Sequence, residues 1–230
     1  MKRQGWTSIS ISTEDSQDCR CPLCQSAAIS PFFQDRRHYL RCATCQLVFV
    51  PPSDYLTPKQ ERAEYDLHEN SVDDPGYRQF LSRLFFPVSN CLEPDSEGLD
   101  FGSGPEPLLS QMFVEAGHSM QIYDHFYAPD ESPLQQQYDF ITASEVVEHL
   151  HHPREALERL WSCLRPNGVL GIMTKRVLDL EAFSNWHYKN DPTHVSFFSI
   201  ESFEWLASHW GARLAIPEKD VVILTKRGAI

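Results

Sequence analysis

The sequence predicts an α/β protein, a doubly wound Rossmann-like parallel sheet with a small metal ribbon before it, on three observations. Residues 98–117 run from an apolar strand end at Leu99 and Phe101, through a turn at Gly102 and Gly104, into a helical stretch that stops at Gly117. Glycines there let the backbone turn sharply and approach a ligand with no Cβ in the way. Strand, glycine turn and helix make the nucleotide-binding start of such a sheet. Asp124 follows about 20 residues later, at the end of the next strand, where folds of this kind grip ribose hydroxyls. Finally, Cys21-Pro22-Leu23-Cys24 and Cys42-Ala43-Thr44-Cys45 are two Cys-x-x-Cys knuckles with 17 residues between them.

A chain of 230 residues, 41% hydrophobic, suffices for one good-sized domain and a small appendage. Its formal charge of -12, from 32 acids against 20 Lys and Arg, repels phosphate backbones and disfavours a broad nucleic-acid face. No apolar run approaches the ~20 residues that span a bilayer. Residues 1–18 are polar, with no hydrophobic signal core. A soluble cytoplasmic protein with a flexible tail over 1–18 is the expectation.

Residues 19–50 read as the ribbon. Each knuckle brings two thiolates onto one tight turn, and the pair completes a tetrahedron around a soft cation, zinc before iron. Short-strand character at 39–41 and 47–50 fits a zinc ribbon. With Cys21, Cys24, Cys42 and Cys45 as ligands the coordination sphere is closed, so the zinc is expected to be structural. Disulfides are the alternative, and the intracellular character of the rest opposes them. Cys19 reads as a bystander, Cys91 and Cys163 as isolated core residues. Arg20, Arg36, Arg37, His38 and Arg41 make the ribbon locally basic, which fits an RNA or protein contact or simply a solvated face.

Pro51-Pro52 opens a helical linker over 51–95, with Tyr77, Phe80, Leu81, Leu84 and Phe85 at helical spacing. The domain that follows, 96–230, begins with the glycine turn. A dinucleotide fingerprint would need glycine at Pro107, whereas Asp100-Phe101-Gly102-Ser103-Gly104 resembles the first motif of class I S-adenosylmethionine (SAM) methyltransferases. That family often has a third glycine where this chain has Glu106. Residues 138–150 carry the closest resemblance, to class I methyltransferases similar to the ubiquinone-biosynthesis enzymes. They run from a strand, through a small-residue-acid turn at Ser144-Glu145, to Glu148-His149 before a short loop and Pro153. Pro153 starts a helix well, with Ala156, Leu157, Leu160, Trp161 and Leu164 as its buried stripe. Pro166-Asn167-Gly168 turns the chain into a fifth strand at 169–173. A helix over 202–210, ended by Gly211, and strands at 213–216 and 221–225 fit the antiparallel last strands of that fold. The stretch 126–137 departs from the family, being too short for a helix and a full third strand. The expectation is thus the seven-stranded type with a shortened third-strand region, Asp130 being a candidate for the adenine contact.

The resemblance implies a SAM-dependent methyltransferase whose cofactor is held by Asp100, Gly102, Ser103, Gly104, Asp124, Ser144 and Glu145. It also implies a helical lid, with His68 and Asn70 toward the pocket. The acidic surface suits a small-molecule acceptor methylated on an O, N or C nucleophile. Its place is at the carboxyl ends of strands four and five, near Glu145 and His149 and the segment 186–194. His187 and His194 there could be packed core residues. Two histidines with Asp191 and Thr193 in so short a span point instead to a site. His149 and His194 would then take the acceptor's proton, with Glu145 and Asp191 in support. The rival readings are an RNA or protein methyltransferase that recognises its substrate through the ribbon, and a SAM-binding protein without turnover.

Overall fold

The computed structural model describes residues 19–66 and 74–228; the expected tail at 1–18, and His68 and Asn70, lie outside them. Among the described residues the chain runs β1 (Ile29–Gln34), β2 (His38–Cys42), β3 (Val48–Phe49), α1 (Pro58–Tyr65), α2 (Pro75–Ser89), β4 (Glu97–Phe101), α3 (Leu108–Glu115) and β5 (Ser119–Tyr123). It continues through β6 (Tyr138–Ser144), α4 (Pro153–Ser162), β7 (Leu164–Met173), α5 (Leu180–Ser184), β8 (Ser196–Phe197), α6 (Ile200–Trp210), β9 (Arg213–Glu218) and β10 (Val221–Thr225).

The central sheet has the order β5-β4-β6-β7-β10-β9. β4 lies parallel to β5 and β6, and β6 parallel to β7, while β10 runs antiparallel to both its neighbours. Parallel strands need crossovers, and the helices that make them cover both faces, so these strands are apolar on both sides. Phe140, Val169, Met173, Val221 and Ile223 meet Leu84 and Val88 of α2 and Met112 and Phe113 of α3. Their neighbours one residue on, Ile141, Leu170, Val222 and Leu224, point the other way and meet Leu157 and Leu160 of α4 and Phe203 and Leu206 of α6.

The expected abbreviation falls between β5 and β6. The described residues there form a bridge between Asp124 and Ala128 and a 3-10 turn at Ser132–Gln135, with no strand outside β5. Pro129 and Pro133 each remove a ladder donor, and the few residues available leave no room for a crossover helix. Two smaller expectations are corrected. Leu164 opens β7 instead of closing α4, which ends at Ser162. Cys91 is exposed, because α2 ends at Ser89 and turns the chain outward.

The ribbon is not an appendage on a string. Its antiparallel sheet has the order β1-β2-β3-β8, and β8 comes from the far end of the chain. Val48 pairs with Phe197 and Phe49 with Ser196. A separate apolar core joins Tyr39, Val48 and Val50 of the ribbon to Phe183, Tyr188, Val195 and Phe197. Tyr39 and Phe183 meet edge to face with centroids 5.1 Å apart, a geometry that adds to simple area burial. Among the described residues no helix is long and apolar enough to cross a membrane.

Candidate active site

Gly102 and Gly104 follow β4 with φ of +74° and +66°, a region that L side chains enter only under strain. A Cβ on Gly102 would lie 2.3 Å from Val146 Cγ2, whereas around Gly104 nothing lies within 4 Å. The first glycine is demanded by packing; the second leaves open space. The amides of Gly102 and Ser103 donate to the Tyr123 carbonyl at 2.7 and 3.3 Å, tying the turn to β5. Asp124 completes the cradle. Its Oδ2 accepts from Gly104 N at 2.9 Å, and its Oδ1 from Phe126 N and Tyr127 N at 2.9 and 3.0 Å. A carboxylate oxygen carries two lone pairs, so Oδ2 can still accept a ligand hydroxyl.

A cavity of about 920 Å³ lies over this turn. Of the expected cofactor residues, Gly102, Ser103, Gly104, Asp124, Ser144 and Glu145 line it. Asp100 stands behind the wall, buried, and accepts from Thr142 Oγ1 at 2.8 Å. Burial pushes its carboxyl up to about 6, against the Thr142 hydrogen bond. Glu106 is not among the lining residues, so its departure from the family pattern does not fill the space.

The same cavity reaches His149, Asp191 and His194. His149 comes from the 3-10 turn after β6, Asp191 and His194 from the loop between α5 and β8. The two imidazoles meet edge to face with centroids 4.6 Å apart. Thr193 Oγ1 donates to Asp191 Oδ1 at 2.6 Å and lies 2.9 Å from His149 Nδ1. Burial works against the Asp191 charge, yet the Thr193 hydrogen bond and the adjacent imidazoles hold its carboxyl below the usual range. His187 lies apart, exposed beside Lys175.

Glu145 takes a left-handed φ of +52° as the chain leaves β6, unusual for a residue other than glycine and a strain of the kind found at functional sites. Its Oε1 is buried with no hydrogen-bond partner among the described residues. Burial raises its carboxyl to about 7, partly offset by Lys175 and by the Tyr188 hydroxyl. Behind it, fully buried Glu148 is raised to about 8 by burial and by the Glu145 charge. Glu148 shares a ligand-atom cluster with His149 and His194, all within 4.8 Å of one another.

The four ribbon thiols are brought together as well, with Cys21 Sγ 3.5 Å from Cys45 Sγ and Cys24 Sγ 3.4 Å from Cys42 Sγ. Zn–S bonds of ~2.3 Å in a tetrahedron place sulfurs ~3.8 Å apart, so this cage needs little adjustment. A hydrogen bond from Cys45 pulls Cys21 down to about 6, while burial pushes Cys24 up to about 12. Without a cation such a cluster cannot carry four negative charges.

Several residues around the cavity were not singled out as site residues, although the 51–95 segment was expected as a lid. Tyr65 of α1 and Tyr77 of α2 reach the cavity from the linker, and Tyr55 stacks on His151 at 4.2 Å. Least legible was Arg37. Its guanidinium donates to the carbonyls of Lys189 (2.6 Å), Asp191 (2.9 Å), Pro192 (3.0 Å) and His194 (2.9 Å). Tyr39 adds a bond to the Lys189 carbonyl at 3.1 Å, and Lys189 pairs with Asp35. The ribbon thus clamps the loop that carries Asp191 and His194. Arg37→Ala is expected to lower stability by about 2–3 kcal/mol in urea unfolding, the cost of unpairing charge-assisted bonds. Lysine, a point charge without the planar fork, should not restore it.

A protein-family model described as a methyltransferase domain matches residues 71–215. The chain is also similar to the solved structure of an O-methyltransferase family protein from Burkholderia thailandensis, with 12% identity and a TM-score of 0.54, over 74% of this chain and 60% of that one. A second similar structure is the Burkholderia thailandensis 1,6-didemethyltoxoflavin-N1-methyltransferase with bound 1,6-didemethyltoxoflavin and S-adenosylhomocysteine. There the identity is 15% and the TM-score 0.48, over 86% of this chain and 99% of that one. A search of curated proteins gave no match.

Proposed function

We propose, from the premise that the chain belongs to the methyltransferase-domain family, that this SAM-dependent methyltransferase acts on a small-molecule acceptor held near His149, His194, Glu145 and Asp191. One observation carries the reading. A single cavity joins the glycine turn and Asp124 at one end to the two histidines and Asp191 at the other.

When bound, SAM supplies a methyl group on a sulfonium sulfur, open to in-line displacement by the acceptor. The protein's part is alignment. The open space at Gly104 admits the cofactor against bare backbone, and Asp124 Oδ2 is available to the ribose hydroxyls. Ser103 and Ser144 add hydroxyls. Tyr65 and Tyr77 add aromatic rings to the cavity wall. Thr193 and Asp191 fix the His149 ring, so that His149 and His194 present a defined face to the acceptor.

Charge argues for the acceptor class. Glu61, Glu155 and Asp191 line the cavity, and among the described residues no Lys or Arg does. Such a wall suits a neutral or cationic small molecule and repels phosphate. The basic ribbon is partly spent inward as well, since Arg37 faces backbone carbonyls. Within this reading Cys21, Cys24, Cys42 and Cys45 hold a structural zinc. Residues 19–50 form the ribbon, 51–95 a helical cover and 96–230 the methyltransferase domain.

Calorimetry with S-adenosylhomocysteine tests the cofactor half. Asp124→Ala should weaken binding by about 1.5–3 kcal/mol, the loss expected for hydrogen bonds to a charged group. Unchanged affinity removes Asp124 from the site, and preference for a nicotinamide dinucleotide overturns the cofactor assignment. Mass spectrometry of copurified ligand tests the acceptor half, where a phosphorylated polymer would count against it.

A further inference from the structure

α1 is a helix that its own sequence does little to hold in place. Thr57 and Gln60 form a capping box at its start, but its eight residues carry no apolar stripe and none is fully buried. A helix so short is marginal in water without packing. The contacts that fix it are made with residues of the cavity wall. The Tyr65 ring lies 5.4 Å from that of Phe126 and 5.2 Å from that of His149, and Glu61 Oε1 is 3.9 Å from His151 Nε2. Asp66, at the helix end, accepts from the Tyr127 hydroxyl at 2.9 Å.

Two of those partners depend on the acid at the cofactor end. Asp124 Oδ1 accepts from the amides of Phe126 and Tyr127, while Oδ2 accepts from Gly104 N. A ligand hydroxyl bound to Oδ2 steadies the same carboxylate that holds residues 126 and 127. Phe126 bears on Tyr65 through its ring, and Tyr127 on Asp66 through its hydroxyl. Tyr65 in turn meets His149 at the other end of the cavity. A continuous set of hydrogen bonds and ring contacts thus joins the two ends, by way of a helix with little else to hold it.

We propose that Tyr127 is a positioning residue: through Asp66 it sets Tyr65 against His149, so that cofactor bound at Asp124 completes the wall of the acceptor end. Tyr65 is then the residue that limits the acceptor's shape, its ring standing between Phe126 on the cofactor side and His149 on the acceptor side. Coupling of this kind is reciprocal. The held helix strengthens cofactor binding by the factor with which the cofactor steadies the helix. The coupling rests on the cofactor reading of Asp124 above; the tether between Tyr127 and Asp66 does not.

The test is hydrogen exchange of amides 61–66 in the full-length protein, with and without S-adenosylhomocysteine, beside calorimetry on the same preparations. The ligand should slow exchange in the wild type. Tyr127→Phe, which removes only the hydroxyl, should speed exchange by roughly 3- to 10-fold, the weight of one hydrogen bond, and shrink the ligand's effect. Asp66→Ala should match it, whereas Asp66→Asn, which keeps an acceptor oxygen, should retain wild-type rates. By reciprocity, S-adenosylhomocysteine affinity in Tyr127→Phe should fall by no more than the same factor. Exchange that measured binding leaves unchanged, or a ligand effect undiminished in Tyr127→Phe, overturns the proposal. So does a collapse of affinity in that variant, which would make Tyr127 a direct cofactor contact. No binding to the wild type removes the cofactor reading and the coupling together, and the unliganded rates then decide the tether by themselves.

Discussion

Chelation of the zinc proposed at Cys21, Cys24, Cys42 and Cys45 is expected to unfold the ribbon and release the loop that carries Asp191 and His194. Modules below ~40 residues seldom fold on an apolar core alone, and structural zinc supplies an apparent ~10–16 kcal/mol to such units. Three of the four sulfurs belong to fully buried residues, so an empty cage would leave thiols crowded in the ribbon's centre. The loss should propagate, because Phe49 and Val48 of β3 hold β8 and Arg37 holds four carbonyls just before it. Hydrogen exchange after chelation should show lost protection at Val50, whose amide donates to the Val195 carbonyl across this junction, while β4 and β6 keep theirs. A Cys24→Ser variant should behave the same way. Protection at residues 187–197 that survives verified metal removal would show the clamp to be independent of the ribbon's metal.

Gly102→Ala is expected to be the most damaging single substitution in the glycine turn. A non-glycine residue at φ +74° costs ~1–2 kcal/mol. A Cβ placed 2.3 Å from Val146 adds an overpacking penalty of ~1–3 kcal/mol. Together they predict a loss of about 2–5 kcal/mol in urea unfolding. Gly104→Ala supplies the contrast. Its φ of +66° brings the backbone penalty, but nothing lies within 4 Å of the new methyl group. Stability should fall by only ~1–2 kcal/mol, while S-adenosylhomocysteine affinity should collapse because the methyl occupies the ligand's space. Equal effects of the two substitutions on stability would refute the packing argument. Full affinity in Gly104→Ala would place the cofactor elsewhere.

How much of this was legible in the chain depends on how far apart the cooperating residues stand. Local chemistry determined the glycine turn, because positive φ at Gly102 and Gly104 is a demand on the residue itself. It likewise determined the Cys-x-x-Cys knuckles, the acid at Asp124 and the apolar runs of β6 and β7, each of which is written within a few residues. The shortened third-strand region was readable for the same reason, since chain length and proline act locally. Cys91 and Leu164 were misjudged where an element's end, not its composition, settled exposure and membership.

Tertiary structure alone decided the rest. Nothing near Arg37 announces that its guanidinium will meet carbonyls more than 150 positions along the chain. Glu148 was legible only as part of the Glu148-His149 motif; nothing local announces that it is buried beside His194 of a distant loop. A solvated arginine and a clamping one read alike in sequence, as do an exposed glutamate and a desolvated one. Hydrogen-bond partnership and burial are properties of the space around a side chain, and long-range strand pairing such as β3 with β8 creates that space only when the chain has folded.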